Sequence, residues 1–429
     1  MDTLRTFYVS SGKGNDKNPG RTMEEPFATL NAINEIELQP GDSVLLECGS
    51  IFENQFLVIR SQGTLEHPIR IGKYGEGPLP VIHGNGRGVW YQDYGVPLDS
   101  PCHEKEGEVS STVLLWDASY IEVTDLEITN SDFGKTDEDY SAAHKRNRTG
   151  VSIVARDRGT LHHIFLKNLF VHDVEGNVYN KHMNNGGICA SALKPLEEEK
   201  TGVARFDGLT VEDCYVYGVS RWGISLGYTY QHGRFSKSYL EEDWFRIYGH
   251  EHVVLRNNYV KHVGGDGITP MYALRPLVEH NTVDYVAVEM NDRVYSQPLN
   301  RAGKVAAAVW PWKCKDALFR YNLTRDTVFN QDGMAYDADS GDGTMYEYNY
   351  SRYNEGGCIM FCLEQSVNNI FRHNISKEDL SGIISPIENP DAYIAENIFY
   401  KRKETPLLRP KTKIGNYQME KNQLIILEE

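Results

Sequence analysis

Positive charge is scarce in this chain. Its 429 residues contain 44 Lys and Arg against 60 Asp and Glu, which gives a formal net charge of −16. Proteins that bind nucleic acid obtain much of their affinity from Lys and Arg placed beside phosphates. We therefore expect no nucleic-acid partner, and the same deficit weighs mildly against a highly anionic polysaccharide as substrate.

Long apolar segments are also missing. The sequence has no run of about 18 apolar residues, the length that a membrane-spanning helix requires, so we expect no membrane partner. Residues 1–10 lack the apolar core of a signal peptide. We predict a cytoplasmic protein or, as the alternative, a secreted one whose signal peptide is absent from this sequence.

Cysteine is present but shows no pattern. The seven cysteines are odd in number, and only Cys358 and Cys362 lie close together in the sequence. Neither a disulfide framework nor a metal-ligand motif follows from this spacing. We predict a set of reduced thiols and no metal site built from cysteine.

What the sequence does have is a repeat. A short apolar strand pattern ends in Asn six times, with steps of 23, 41, 27, 25 and 23 residues, at Asn258, Asn281, Asn322, Asn349, Asn374 and Asn397. A period in the twenties with a strand in each unit is typical of a solenoid. We predict an all-β protein that folds as a parallel β-helix, with these asparagines in one line along its axis.

The rest of the chain fits a single solenoid domain over residues 1–429. Residues 1–80 are predicted to form an N-terminal cap and the first coils, and a helical pattern over 26–35 would cover the open β-edge. Residues 110–400 are predicted to form regular coils with long loops.

Four of these loops are long enough to build a wall beside a binding groove. They are predicted at 132–150, 176–186, 228–250 and 286–304, with the side chains of Tyr230, His232, Trp244 and Tyr295 projecting over the groove.

One segment departs from the repeat. Residues 330–343 contain Asp332, Asp337, Asp339 and Asp342, a cluster that indicates either a calcium loop or a hydrolytic acid/base pair. Side chains alternate along a strand, so Asp337 and Asp339 should share one face, where packing raises the pKa of one carboxyl group. Asp342 before Gly343 has the pattern of a turn.

Alignment of the repeats predicts the other side chains of the groove. Glu364 lies one coil after Asp339, and carboxyl groups about 5–10 Å apart are the arrangement that glycoside hydrolases use. The candidate catalytic residues are Asp339, Asp337, Asp332 and Glu364. The candidate substrate-binding residues are Trp310, Trp312, Asp266, Tyr272, Tyr336, Tyr228 and Glu388. Asp266 and Asp332 both precede Gly and also fit turns.

Several motifs resemble a known family. The segments 7–11, 25–30, 40–42 and 68–75 (FYVSS, EPFATL, PGD and PIRIGKYG) resemble the opening of right-handed parallel β-helix proteins that act on carbohydrates. The segments 309–312, 332–339, 347–351 and 354–357 (VWPW, DGMAYDAD, EYNYS and NEGG) resemble β-helical glycoside hydrolases. They are most similar to the β-helical lacto-N-biosidase family and, more distantly, to the β-helical β-xylosidase type.

The resemblance implies two alternative catalytic pairs. Two aspartates seven residues apart, as in the lacto-N-biosidase family, would fall on Asp332 and Asp339. An Asp paired with a Glu one coil later, as in the β-xylosidase type, would fall on Asp339 and Glu364.

We therefore predict a glycoside hydrolase that cleaves an oligosaccharide without a cofactor. Asp337 or Asp339 would serve as nucleophile or base, and Asp332 or Glu364 as the acid. The first alternative is a calcium-dependent polysaccharide lyase or epimerase, in which the aspartates would hold Ca²⁺ and the base would be Arg275, Lys313 or Arg325. The second is a non-catalytic β-helix that binds carbohydrate.

Overall fold

The computed structural model describes residues 4–131, 146–237, 239–292, 294–295 and 303–428. Strands dominate these residues. In chain order the first are β1 (Thr6–Val9), β2 (Ser43–Glu47), β3 (Ile51–Glu53), β4 (Leu57–Ile59), β5 (Ile69–Tyr74), β6 (Val81–His83), β7 (Val89–Asp93), β8 (Glu106–Trp116), β9 (Ile121–Thr124), β10 (Glu127–Asn130), β11 (Asn147–Ala155), β12 (Thr160–Lys167) and β13 (Phe170–Val174). There follow β14 (Gly186–Ala192), β15 (Arg205–Glu212), β16 (Tyr215–Val219), β17 (Trp222–Thr229), β18 (Glu251–Arg256), β19 (Tyr259–Val263), β20 (Asp266–Pro270), β21 (Leu277–Glu279), β22 (Thr282–Val286), β23 (Leu318–Arg320) and β24 (Leu323–Arg325). The last are β25 (Met334–Asp339), β26 (Met345–Glu347), β27 (Tyr350–Arg352), β28 (Gly357–Cys362), β29 (Ile370–Arg372), β30 (Ile375–Lys377), β31 (Ile384–Ile387), β32 (Tyr393–Ala395), β33 (Ile398–Lys401), β34 (Gln418–Glu420) and β35 (Gln423–Ile426).

These strands form a parallel β-helix, which confirms the predicted fold class. Each regular coil gives one strand to each of three sheets, as β26, β27 and β28 do before β29, β30 and β31 repeat the pattern. Strands of successive coils pair in parallel, whereas β7 pairs antiparallel with β8.

The ladder of the third sheet is interrupted at one coil. Its described strands form one group from β4 to β20 and another of β25, β28 and β31. Between them, Val309 and Trp312 make only isolated parallel bridges to both neighbouring coils. Pro311 lies between these two residues, and proline has no N–H to give to a ladder. The Trp-Pro-Trp segment therefore crosses the sheet without forming a strand.

The interior is filled by apolar side chains stacked from coil to coil. Along the first sheet, one buried column consists of Val211, Leu255, Val278, Phe319, Tyr346, Phe371 and Ile394. Full burial of such a side chain contributes roughly 1.5–3 kcal/mol. The outer faces of the sheets remain free to carry other chemistry.

The predicted asparagine ladder is confirmed. The side-chain amide of Asn322 donates to Asn349 Oδ1 at 3.0 Å and to the carbonyl of Val278 at 2.9 Å. The same pattern joins all six predicted asparagines and continues to Asn422. The residue before each of these seven asparagines has φ between 52° and 57°, so each of these coils turns through the left-handed region at this corner.

The predicted N-terminal helix is present but short. Helix α1 covers Leu30–Asn34 instead of 26–35, and Leu30 and Ile33 pack into the solenoid core. Asn34 bonds to the backbone of Phe56 and Val58 beside β4. The other described α-helices are α2 (Glu198–Thr201) and α3 (Glu242–Tyr248). Among the residues described, no helix is long and apolar enough to cross a membrane.

Candidate active site

The site is built on the outer face of the third sheet, where β25 joins the Trp-Pro-Trp coil. In successive coils Met271, Trp312, Asp339, Cys362 and Ile387 pair with one another. A second column runs alongside it, in which Asp337 pairs with Met360 and Met360 with Ser385. Two carboxyl groups therefore lie in a surface made otherwise of aromatic, apolar and small polar side chains.

Asp337 and Asp339 share one face, as predicted. Tyr336 and Ala338, which alternate with them along β25, point into the solenoid core. Oxygens of the two carboxyl groups and Cys362 Sγ all lie within 4.8 Å of one another. Ser340 Oγ donates to Asp339 Oδ1 at 2.6 Å, whereas Asp337 Oδ1 is buried and has no hydrogen-bond partner among the described residues.

Asp332 approaches this pair from the start of the strand. The next residue, Gly333, has φ of +85°, a conformation that glycine adopts readily, and this bend turns the chain into β25. Arg409 Nη1 lies 4.0 Å from Asp332 Oδ1. Burial raises the pKa of Asp332 to about 6, with Arg409 and Lys181 opposing the shift and Asp339 adding to it.

The pKa of each member of the Asp337–Asp339 pair is also raised. Burial, followed by the charges of Asp339 and Asp332, raises the pKa of Asp337 well above its usual range. Burial raises the pKa of Asp339 as well, but the hydrogen bond from Ser340 and the charges of Lys181 and Lys313 oppose the increase. The negative charge of this pair is therefore best accommodated on Asp339.

Besides Arg409, two lysines supply positive charge to the site. Lys313 Nζ donates to the Phe235 carbonyl at 2.9 Å and to Gln365 Oε1 at 3.0 Å, and it lies 5.1 Å from the centre of the Trp312 ring. Burial lowers the pKa of Lys313, with the charge of Asp339 acting in the opposite direction.

Lys181 was not predicted. Its Nζ lies 5.3 Å from the centre of the Trp310 ring, and its charge lowers the pKa of Asp332, Asp337 and Asp339. Lys181 belongs to a loop about 150 residues before the acids, and no local sequence signal links it to them.

The long loops form a wall, as far as they are described. Val178 and Tyr179 from one loop pack against Met290, Val294 and Tyr295 from another. The His232 ring stacks on Trp312 with centroids 5.3 Å apart, so its predicted position at the groove is confirmed. Residues 132–145, 238, 293 and 296–302 of the predicted loops lie outside the described residues.

The other three predicted wall residues do not project over the groove. Tyr295 is fully buried within the wall, where Arg221 donates to its hydroxyl at 2.7 Å. Tyr230 belongs to the solenoid core, where its hydroxyl accepts from the Ala204 N–H at 3.3 Å, so its predicted position was wrong. Trp244 Nε1 donates to the Arg234 carbonyl, and its ring contacts Tyr248, so Trp244 packs within its own loop instead of over the acids.

A histidine–aspartate contact in the wall was also not predicted. His182 Nε2 lies 2.5 Å from Asp99 Oδ1, and Tyr228 OH is 3.5 Å from the other oxygen of Asp99. Desolvation would raise the pKa of Asp99, but the hydrogen bond and the charge of His182 lower it overall. Asp99 comes from the segment between β7 and β8, which therefore contributes to the rim of the groove.

Comparison with known proteins places the chain in a family. It is 56% identical to the GH136 lacto-N-biosidase from Eubacterium ramulus, with a TM-score of 0.95 to the crystal structures of the native protein and its selenomethionine derivative. These matches cover 99% of this chain and 68% of that one. The chain belongs to the GH136 lacto-N-biosidase family. No family model matches it.

A second member of the lacto-N-biosidase family is a longer protein. The lacto-N-biosidase of Bifidobacterium longum subsp. longum is 40% identical over 453 residues, which cover 96% of this chain. The chain spans 28% of the length of that curated relative.

Three residues predicted to bind substrate lie in positions unsuited to it. Tyr336 was a wrong prediction, because it points into the core and its hydroxyl donates to the Tyr350 carbonyl at 2.9 Å. Tyr228 and Tyr272 are also fully buried and pack edge-on against Trp312, with ring centroids 5.2 and 5.7 Å away.

Asp266 is likewise fully buried and so not at the groove surface, where it was predicted. Arg221 Nη2 lies 2.9 Å from its carboxylate, and neither side chain is exposed. Asp266 Oδ1 accepts from Trp310 Nε1 at 2.9 Å. Arg221 also donates to Tyr295 OH at 2.7 Å, so this ion pair ties Trp310 to the wall.

Glu364 and Glu388 do not lie in their predicted positions, because the strands of successive coils pair in a different register from the predicted one. Asp339 pairs with Cys362 and Cys362 with Ile387, so Glu364 and Glu388 do not continue the column. Glu364 is exposed in the turn after β28, and Glu388 forms an ion pair with Lys413 at 2.5 Å. The alignment of the repeats with one another did not account for the ends of β28 at Cys362 and of β31 at Ile387.

Two of the three bases considered for a lyase lie elsewhere. Arg275 pairs with Glu242 and Asp316 at the surface, and Arg325 pairs with Asp284 on the second sheet. Lys313 is the member of this group whose charge acts on Asp339. Trp312 pairs with Asp339 in the next coil, and Trp310 and Trp312 are 4% and 9% exposed; contact with a sugar remains a prediction for both.

Proposed function

We propose that this protein is a glycoside hydrolase of the lacto-N-biosidase type, which releases lacto-N-biose from an oligosaccharide. The substrate is inferred from the names of its relatives in Eubacterium ramulus and Bifidobacterium longum. The observation that carries the reaction type is the unequal environment of Asp332 and Asp339. A protonated carboxyl group beside an ionised one is the pair that glycoside hydrolysis needs.

In this proposal Asp332 is the general acid. Its pKa of about 6, raised by burial, keeps part of the enzyme in the protonated form near neutral pH. The proton passes to the glycosidic oxygen as the bond from that oxygen to the anomeric carbon breaks. The leaving group then departs as a neutral alcohol.

Asp339 is the ionised partner. The hydrogen bond from Ser340 and the charges of Lys313 and Lys181 stabilise its carboxylate. It acts as nucleophile on the anomeric carbon or as the base that activates water. Trp310 and Trp312, in the preceding coil, supply the aromatic surface on which the sugar would lie.

We also propose that the reaction needs no metal ion. The acids and Cys362 bring two carboxylates and one thiol within 4.8 Å of one another. Ca²⁺ takes six to eight oxygen ligands, so this donor set suits it poorly. The lyase alternative therefore lacks support from the chemistry of the site.

The proposal is tested with an aryl lacto-N-bioside and with a natural oligosaccharide that ends in lacto-N-biose. We expect release of the disaccharide from both substrates, and little reaction with aryl xylosides or with uronate polymers. Binding of the oligosaccharide without turnover would favour a carbohydrate-binding protein, and unsaturated products would favour a lyase.

A further inference from the structure

Asp337 differs from the other two acids in its contacts. The residue is 4% exposed, and Oδ1 is buried, on the face of β25 that also carries Asp339, without a hydrogen-bond partner among the described residues. Asp339 has Ser340 as a donor, and Asp332 has Arg409 beside it. A buried polar atom without a partner costs about 1–3 kcal/mol, so its position indicates a group that meets a ligand.

Asp337 is also the acid least able to carry a charge. Its carboxyl group lies within 4.8 Å of that of Asp339, and two carboxylates so close do not both ionise readily. The positive charge of Lys313 interacts with the carboxylate of Asp339. The Ser340 hydroxyl donates its hydrogen bond to Asp339 rather than to Asp337. The shared negative charge therefore settles on Asp339, and the proton on Asp337.

We propose that Asp337 stays protonated in the working enzyme and donates a hydrogen bond to an acceptor oxygen of the bound sugar. The inference rests on the proposed hydrolase function and gives the site a third functional carboxyl group. Asp337 lies two residues before Asp339 on the same face of β25, so this contact would fall next to the anomeric centre. A hydroxyl or amide carbonyl oxygen of the sugar is a suitable acceptor.

Three variants separate this role from that of an ionised nucleophile. Asp337→Asn keeps a neutral donor of the same shape, and we expect kcat/KM to fall by no more than about tenfold, since one neutral hydrogen bond is replaced by another. Asp337→Leu removes the donor and should lose more, mainly through KM. Asp339→Asn should lose roughly 10³-fold or more in kcat.

Two results would contradict the proposal. If Asp337→Asn is as inactive as Asp339→Asn while both are folded by thermal unfolding, Asp337 works as a carboxylate and the proposal is wrong. If Asp337→Leu is as active as the wild type, Asp337 does not touch the sugar.

A second measurement needs no substrate. Infrared difference spectra of wild type minus Asp337→Asn at pH 7.5 should contain the C=O stretch of a protonated carboxylic acid. A carboxylate band in its place would overturn the proposal. If the wild type cleaves no lacto-N-bioside, the proposed function fails, yet the infrared spectrum still decides whether Asp337 carries a proton.

Discussion

At the scale of single residues, three aspartates within eight positions have three different environments. Asp332 lies beside Arg409, Asp339 accepts from Ser340, and Asp337 Oδ1 is buried without a partner among the described residues. Because the pKa of a carboxyl group follows its desolvation, charges and hydrogen bonds, one segment supplies groups with different protonation behaviour.

The pH dependence of activity should follow from Asp332. Since its pKa is about 6 and the acid must be protonated, kcat/KM should fall as the pH rises above about 6. Arg409 lowers this pKa, so Arg409→Met should raise it and move the basic limb upward by about half a pH unit or more. A pH–rate profile measures this shift.

Arg409→Lys is the matched control, because it keeps the positive charge and should leave the basic limb near its wild-type position. A profile for Arg409→Met that stays in place or moves to lower pH would show that Asp332 is not the group that titrates.

Part of this site could be predicted from the residues alone. The alternation of a strand places Asp337 and Asp339 on one face. The same rule places Tyr336 inside, where it was found, so the prediction that Tyr336 binds substrate did not follow this alternation. Glu364 was misplaced because the end of β28 at Cys362 is set by backbone pairing with the next coil. Lys181 reaches the acids only through the path of a loop, which the sequence does not specify.

At the scale of elements, the asparagine ladder fixes one corner of each coil from Asn258 to Asn422. Asn322 is buried, accepts from the backbone N–H of Asn281 at 3.1 Å and donates to Asn349 and Val278. This ladder was fully predictable, because identical side chains at matching positions of stacked coils meet one another. The third sheet was less predictable, since Trp310–Trp312 pairs with both neighbours without being a strand.

Removal of one ladder residue should destabilise the solenoid. Asn322→Ala leaves buried backbone groups of Asn281 and Val278 without partners, at a cost of about 1–3 kcal/mol for each group. Chemical denaturation should show a lower midpoint for this variant. Asn422→Ala is the control at the end of the ladder, where the side chain is only partly buried, and its effect should be smaller. Equal midpoints for Asn322→Ala and the wild type would contradict a stabilising role.

At the scale of the whole molecule, the solenoid positions a site assembled from distant segments. The acids come from the coil that ends in β25, Trp310 and Trp312 come from the coil before it, and Lys181 and His232 come from the wall. The Arg221–Asp266 ion pair connects the wall to Trp310. The sheets were predictable from the repeat, whereas the course of the wall was not.

Removal of metal ions distinguishes a hydrolase from a calcium-dependent lyase. We expect EDTA to change kcat less than about twofold and the products to be reducing sugars, because proton transfer between carboxyl groups requires no cation. Loss of activity in EDTA that added Ca²⁺ restores would contradict the hydrolase and favour the lyase.

The most direct test is the kcat of Asp339→Asn on a lacto-N-bioside, measured beside Asp342→Asn. Asp342 lies three residues further on, where it pairs with Lys315 at 2.8 Å and has no place in the acid/base pair. We predict that Asp339→Asn keeps the fold and loses roughly 10³-fold or more in kcat, while Asp342→Asn changes kcat less than about threefold. Near wild-type turnover by a folded Asp339→Asn would contradict the account.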